Sequence, residues 1–172
     1  MQQTLTLSGE QKMLLEKSYK AFVRNGALLN EGDKEKLRKI DQRLAVLGQE
    51  FSDHVLKEIN EYSLILTDPK DVEAMPAFAK DASAHLAQER GLKNSWIFTL
   101  QGPSLLPFLQ YCTNEKRREE LWLANASKAT QGNNDNRPLL REIAKLRFER
   151  AQLLGYATYA HYVLEERMAE KP

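Results

Sequence analysis

Apolar residues recur every three or four positions along most of the chain, and charged residues fill the positions between them. This spacing is typical of amphipathic helices. It is most regular in one stretch, which predicts a long helix with a narrow apolar seam formed by Leu37, Ile40, Leu44, Leu47, Phe51, Val55 and Ile59. A second set at helical spacing precedes it and predicts a first helix: Leu14, Leu15, Tyr19, Phe22 and Val23.

Capping residues define the ends of these two helices. Ser8, followed three residues later by Gln11, is typical of a capping box and predicts the first helix start. Asn25-Gly26 predicts its end, because glycine adopts the left-handed conformation that terminates many helices. Asn30, with Asp33 at the third position, predicts the start of the long helix.

The apolar period changes after Tyr62. The segments 62–67 and 95–100 are short, apolar and rich in aromatic or β-branched residues, and Asp68-Pro69 and Gly102-Pro103 end them. Each segment could belong to a helix instead, but the flanking Pro and Gly residues favour two strands. We expect the strands to form a small two-stranded ribbon.

Helices are predicted again around and after the second strand. Pro76 begins a helix that carries Phe78, Ala82, His85 and Leu86 and stops near Gly91. Ser104 is expected to cap a short helix through Leu109 and Tyr111, with Pro107 in its first turn. Further helices are predicted at about 114–128 and about 158–168, and residues 130–135 are predicted to form a polar loop. Between this loop and the last helix, a helix is predicted to begin at Asn136 and Pro138 and to end at Gly155. Its inward-facing residues are Leu139, Leu140, Ile143, Leu146, Ala151 and Leu154. The predicted fold is mainly α, a bundle-like helical body with a small ribbon, in one region over residues 1–172.

Composition narrows the classes of function. Lys and Arg number 25 against 24 Asp and Glu, so the net charge is +1, without the basic excess of a typical nucleic-acid-binding domain. No apolar run approaches the length of a membrane span. The single cysteine, Cys112, allows neither an internal disulfide nor a multi-cysteine zinc site. We therefore expect neither nucleic acid nor a membrane as a partner.

The three histidines were considered as metal ligands or catalytic bases. None of His54, His85 and His161 begins an H-E-x-x-H run, in which two histidines one turn apart bind zinc. His54 and Glu58 lie four residues apart on the long helix and could share a metal, but a solvated surface pair is the favoured interpretation. His85 and His161 are interpreted as ordinary helix histidines.

The remaining candidates have structural interpretations as well. Cys112 is interpreted as a small semi-buried hydrophobic residue, because a nucleophilic role requires a nearby base. The basic cluster Lys116-Arg117-Arg118 is followed by two glutamates and indicates a solvated helix face. Core packing explains the aromatic residues at helical spacing, which are Trp122, Tyr156, Tyr159 and Tyr162. The sequence therefore predicts no catalytic, cofactor-binding or metal-binding residue in this chain.

Six segments, in this order and spacing, resemble one family. They are 25–29 (NGALL), 33–58 (DKEKLRKIDQRLAVLGQEFSDHVLKE), 96–111 (WIFTLQGPSLLPFLQY), 114–121 (NEKRREEL), 135–156 (DNRPLLREIAKLRFERAQLLGY) and 157–169 (ATYAHYVLEERMA). Together they are similar to the interior of the thimet oligopeptidase and oligopeptidase A family of zinc peptidases, and most of all to the bacterial peptidyl-dipeptidases, or dipeptidyl carboxypeptidases. The resemblance extends over nearly the whole chain from about Leu14.

The resemblance implies a helical channel that admits short peptides to zinc. In the family, an H-E-x-x-H helix and a later Glu hold the zinc, which activates the attacking water. That helix is absent here and is expected beyond residue 172, so no family site residue can be transferred to this chain. The resemblance implies an inactive interior fragment that forms the channel wall of a parent zinc peptidyl-dipeptidase, which removes C-terminal dipeptides. Its partners would be short peptides and the catalytic remainder of the parent chain.

Three further expectations accompany this interpretation. A stand-alone helical interaction module, with the Leu37–Ile59 seam as its docking face, is the alternative function, and an enzyme using Cys112 or His54 is a weaker one. We expect a cytoplasmic protein, although a segment ahead of Met1 would hold any signal for export to the periplasm. We also expect self-association through apolar residues of the last two helices, because the parent chain would cover them.

Overall fold

A computed structural model describes residues 7–172 of the chain. Within this part of the chain there are seven α-helices, two short 3₁₀ turns and one two-stranded sheet. The elements are α1 (Gly9–Arg24), α2 (Glu31–Glu61), β1 (Leu64–Leu66), a 3₁₀ turn (Pro69–Val72), α3 (Ala77–Glu89), β2 (Trp96–Phe98), α4 (Gly102–Tyr111), α5 (Glu115–Ala126), a 3₁₀ turn (Gly132–Asn134), α6 (Arg137–Leu153) and α7 (Tyr159–Leu164). The prediction of a mainly α fold with a small ribbon is confirmed.

The chain forms two compact units. The first contains the described residues up to Gly48 together with Leu139–Pro172, and the second contains Gln49–Pro138. The long helix α2 contributes residues to both. Every contact discussed below lies within one unit.

Both predicted helix starts in the first unit are confirmed. The Gln11 amide N–H donates to the Ser8 hydroxyl at 3.4 Å, and the Gln11 side chain accepts from the Ser8 amide at 3.0 Å. At the start of α2, the Asp33 amide N–H donates to Asn30 Oδ1, and the Asn30 side-chain amide donates to the Asp33 carboxylate, with both distances 2.9 Å. These bonds satisfy amide groups that a helix start would otherwise leave unpaired.

Gly26 ends α1 as predicted. Its φ of +87° is in the left-handed region, and the Ala27 amide reaches back to the Phe22 carbonyl at 3.0 Å. A Cβ at this position would lie 2.6 Å from Leu37 Cδ2, so alanine here would displace the Leu37 side chain of α2. One residue therefore serves both the turn and the packing of the next helix.

The core of the second unit surrounds the sheet. The two strands are antiparallel, with Leu64 opposite Phe98 and Leu66 opposite Trp96, as the ribbon prediction requires. The Phe98 and Phe108 rings are 4.5 Å apart between centroids. The buried residues of this core are Leu64, Leu66, Val72, Met75, Ala79, Phe98, Leu100, Leu105, Phe108, Cys112 and Leu121.

Two predicted helix boundaries differ from the structure. α4 begins at Gly102, not after Ser104, because Pro103 is preorganised for the first helical turn. The Ser104 hydroxyl instead accepts from the Thr99 amide at 2.9 Å, and Pro107 lies inside the helix. α7 starts as predicted, with Thr158 as its cap, but it ends at Leu164 and not near Met168.

Apolar spacing located both α3 and α6, but it identified the buried face only of α6. α3 buries its small residues Ala79, Ser83 and Ala87, and leaves Phe78 exposed. Of the residues expected to face inward from α6 and the turn after it, Leu140 is half exposed, and the others are buried or partly buried: Leu139, Ile143, Leu146, Ala151 and Leu154.

Candidate functional site

His54 and Glu58 both bind the loop that precedes α6. His54 Nδ1 lies 2.8 Å from Asn136 Oδ1, and Asn134 Nδ2 donates to Glu58 Oε1 at 2.7 Å. Both asparagines are buried. The interpretation as a solvated surface pair is therefore wrong, because the asparagines of the polar loop fold back onto this face of α2. These contacts anchor the loop to α2.

Cys112 lies in the core of the second unit, as the structural interpretation predicts. Its thiol donates to the Asp71 carbonyl at 3.3 Å, and only 3% of the residue is exposed. Burial raises the pKa of the thiol. Since the thiolate is the nucleophilic form, both observations argue against a catalytic role.

The other two histidines are exposed on their helices. His85 Nδ1 lies 3.6 Å from Glu89 Oε1, and His161 Nδ1 lies 2.8 Å from the Thr158 hydroxyl. Within residues 7–172, no group of three or more His, Cys, Asp or Glu side chains could hold a metal ion. The described residues therefore do not fit the zinc site that the resemblance implies.

The basic cluster at the start of α5 is partly engaged in contacts within its own unit. Arg117 pairs with Glu120 at 2.8 Å and lies 3.7 Å from the Asp71 carboxylate. Arg118 donates to the Cys112 carbonyl at the end of α4. Two of these three cations thus connect α5 to neighbouring elements, which differs from the predicted solvated face.

A polar cluster in the first unit was missed by the sequence analysis. We call it the tyrosine–arginine cluster, and it contains Arg24, Arg147, Arg150, Tyr156, Tyr159, Tyr162 and Glu165. Arg24 donates to the Tyr156 hydroxyl at 3.0 Å and to the Tyr162 carbonyl at 2.6 Å, and it forms an ion pair with Glu165. Its guanidinium lies 4.5 Å from the Tyr162 ring centroid.

The tyrosines were expected in an apolar core, and the structure contradicts this. The Tyr156 hydroxyl donates to Glu165 Oε2 at 2.6 Å. This bond, with Lys20 and Arg24 nearby, holds the pKa of Glu165 below its ordinary value of 4.5. Trp122 is not in a core either, since 53% of it is exposed. The 156–159–162 spacing was a local signal, but Arg24 is 132 residues from Tyr156 and had none.

An apolar groove lies between α3 and α4 in the second unit. Its volume is about 710 Å³, and its walls include Phe78 and Leu86 from α3 and Leu106 and Pro107 from α4. Phe78 and Leu106 are both about two-thirds exposed. None of the described residues that line the groove is titratable. The groove can therefore hold apolar side chains but cannot supply acid–base chemistry.

No helix within residues 7–172 is both long and apolar enough to cross a lipid bilayer. The 31-residue α2 has sufficient length, but charged residues occur throughout it.

Comparison with known proteins identifies relatives along nearly the whole chain. Residues 108–172 match Peptidase family M3. The chain is 36% identical over 170 residues to the organellar oligopeptidase A (chloroplastic/mitochondrial) of Arabidopsis thaliana. This alignment covers 95% of this chain and 22% of that protein. It is 36% identical over 172 residues to oligopeptidase A of Salmonella typhimurium, which covers 97% of this chain and 25% of that protein.

A dipeptidyl carboxypeptidase is also related. The Escherichia coli enzyme is 29% identical over 171 residues, covering 99% of this chain and 25% of that protein. The chain thus spans about a quarter of the length of these relatives. The resemblance inferred from the six segments is confirmed, but it is not greatest to the peptidyl-dipeptidases, because the oligopeptidases A have the higher identities.

Proposed function

We propose that this chain, which resembles the oligopeptidases of peptidase family M3 over nearly its whole length, forms a helical wall of the substrate channel of a zinc-dependent peptidase. The observation that carries the proposal is the extent of the similarity. Relatives named as peptidases align with 95–99% of the chain, at 29–36% identity. A parent enzyme that cleaves short peptides is the function most consistent with those names.

In the proposed parent enzyme, this chain would form part of the channel surface, and the rest of the protein would supply the zinc chemistry. Zinc, when bound in the parent, would activate the attacking water. The chain contains no H-E-x-x-H run, and within its described residues there is no group that could hold a metal ion. Its own contribution would be shape and apolar surface, and the groove between α3 and α4 is suited to the side chains of a short peptide. On its own, the chain is expected to be inactive.

Release of C-terminal dipeptides is the finer part of the proposal. It is supported by the dipeptidyl carboxypeptidases among the relatives, at 29% and 27% identity. Identity with the oligopeptidases A is higher, at 34–36%. Mass spectrometry of the products released from a short peptide by the parent protein distinguishes stepwise loss of C-terminal dipeptides from internal cleavage. Internal cleavage alone would remove this part of the proposal.

A segment exchange tests the channel-wall role. This chain would replace the matching segment of Salmonella typhimurium oligopeptidase A, and hydrolysis of an internally quenched peptide would be measured. We expect the chimera to retain zinc and cleave the peptide, whereas the same host with the segment deleted should not. A chimera that folds and holds zinc, but does not cleave, would overturn the proposal.

The chain alone provides the complementary test. It should bind no zinc after dialysis and release no product from the same peptide. Chelator-sensitive hydrolysis by a preparation free of host peptidases would show that the chain has catalytic chemistry of its own, and the channel-wall role would then be rejected.

A further inference from the structure

The tyrosine–arginine cluster contains more cations than anions. Arg24 is paired with Glu165, and Arg150 donates to Asp41 at 2.7 Å. Arg147 lies over the Tyr159 ring, 5.2 Å from its centroid, but none of the ion pairs between residues 7–172 includes it. The cluster therefore has one positive charge that no carboxylate of the described chain neutralises.

This charge lies at a cavity of about 340 Å³ in the first unit. Arg147, Arg150 and Tyr159 line it on one side, and Leu44 and Ile143 supply aliphatic surface. No carboxylate is among the described residues that line it. A volume at the lower end of the usual range for ligand sites, about 300–1,000 Å³, suits a small ligand or one residue of a longer one.

The cation–π contact with Tyr159 holds the Arg147 guanidinium beside the ring without forming a hydrogen bond to it. The N–H donors of a guanidinium match the two oxygens of a carboxylate. Arg150 is 86% buried as a side chain and is held by Asp41, which fixes the adjacent wall. Arg147 itself is exposed, so the arrangement is an accessible guanidinium beside an apolar surface.

We propose that this cavity binds the C-terminal residue of a short peptide, with its carboxylate on Arg147 and an apolar side chain against Leu44 and Ile143. A monoanion matches the one unneutralised charge, and the aliphatic surface favours an organic carboxylate over inorganic phosphate. The choice of a peptide as the source of the carboxylate rests on the proposed function. The charge, the cation–π contact and the cavity do not depend on it.

Binding to the 172-residue chain tests the proposal without catalysis. The probes are acetyl-Ala-Ala-Leu with a free C-terminus and the same peptide as its C-terminal amide, measured by calorimetry. We expect the free acid to bind at least about tenfold more tightly, since a hydrogen bond to a charged group contributes that much. Arg147→Gln should reduce binding of the free acid to the level of the amide. Arg141→Gln, on the same helix but outside the cavity lining, is the matched control and should leave binding unchanged.

Three results would overturn the proposal. They are equal binding of acid and amide, unchanged binding by the Arg147→Gln variant, and binding of acetate or inorganic phosphate as tightly as the free peptide. The last result would identify a general anion site. Because the segment exchange measures activity and this experiment measures binding, failure of one can be told from failure of the other.

Discussion

The side-chain amide of Asn136 bridges one turn of α2, accepting from His54 and donating to the backbone of Phe51. Its Nδ2 donates to the Phe51 carbonyl at 3.0 Å, so Oδ1 is the atom that faces His54 Nδ1 at 2.8 Å. Since a carbonyl oxygen only accepts, His54 Nδ1 must carry a proton. The Asn136 backbone amide also donates to the Ala129 carbonyl at 2.8 Å. One buried residue thus fixes both the loop and the histidine tautomer.

Replacing Asn136 with Ala should destabilise the protein. The change leaves His54 Nδ1 without its acceptor and removes the second donor to the Phe51 carbonyl, which costs about 1–3 kcal/mol of unfolding free energy. Urea denaturation measures this. Asn133, exposed in the same loop, is the matched control, and its change to Ala should cost less than about 0.5 kcal/mol. Equal midpoints for the Asn136 variant and the wild type would contradict the bridging role.

Three glycine-to-alanine variants distinguish the effect of backbone conformation on the free energy of unfolding from the effect of side-chain packing. Gly26 has positive φ and a Cβ there would displace the Leu37 side chain, Gly155 has a φ of +85° with open space, and Gly48 is helical with open space. Unfolding free energy should fall most for Gly26→Ala, by about 2 kcal/mol or more, and by about 1 kcal/mol for Gly155→Ala. Gly48→Ala should raise it by about 0.5–1 kcal/mol. An equal loss at Gly26 and Gly155 would show that contact with Leu37 contributes nothing.

Local chemistry explains the features that sequence reasoning located. Capping by Ser8 and Asn30 and termination by Gly26 depend on residues within four positions, so a single sequence shows them. The strand limits likewise followed from neighbouring Pro and Gly. These signals are strong because the backbone groups they satisfy are adjacent in the chain.

The features that were missed depend on tertiary contacts. Asn134 and Asn136 are buried because they bind partners that lie 76 and 82 residues away in the chain. The sequence of a polar loop contains no local signal that identifies such partners. The same holds for Arg24 and Glu165, which are 141 residues apart. On α3, packing against β2 and α4 selected small residues over Phe78, since close approach of elements favours alanine and serine. Helical spacing alone could not show whether the face with the small residues or the face with Phe78 is buried.

Self-association is expected, but through α1 and not through the last two helices, which the apolar content of the sequence indicated. The exposed large apolar residues of the first unit are concentrated on α1, where Leu14 is 67% and Phe22 69% exposed. A contiguous patch above several hundred Å² tends to recruit a partner. Sedimentation should show oligomers that the double change Leu14→Glu, Phe22→Glu converts to monomers.

The control for this prediction lies on the helices that the sequence favoured. Leu140→Glu with Met168→Glu should leave the oligomers intact, although both side chains are exposed. A wild-type protein that is monomeric at high concentration would contradict self-association. If only the control pair of changes dissociates the oligomers, the interface lies on α6 and the residues after α7 instead.

Two phenylalanines should respond oppositely to truncation. Phe108 is fully buried against Phe98, so Phe108→Ala should lower the unfolding free energy by about 3–5 kcal/mol through lost contacts and a cavity. Phe78 is 65% exposed in the groove, and Phe78→Ala should change it by less than about 0.5 kcal/mol. Chemical denaturation of both variants checks this. Comparable losses would place Phe78 in a packed core, contrary to the structure.

The Glu165 carboxylate should make the stability of the first unit sensitive to acid. Its pKa is held below 4.5 in the folded state, chiefly by the hydrogen bond from Tyr156 and then by Lys20. The folded state therefore binds fewer protons than the unfolded state between the two pKa values, and stability rises with pH there. The contribution is complete above about pH 4.5 and is lost as pH falls through the folded pKa.

Thermal midpoints should thus fall further for the wild type than for Glu165→Gln between pH 7 and pH 3.5. Tyr156→Phe, which keeps the carboxylate but removes the main hydrogen bond, should give an intermediate fall. If the wild type and Glu165→Gln lose the same number of degrees, the ion pair between Arg24 and Glu165 does not contribute to folding.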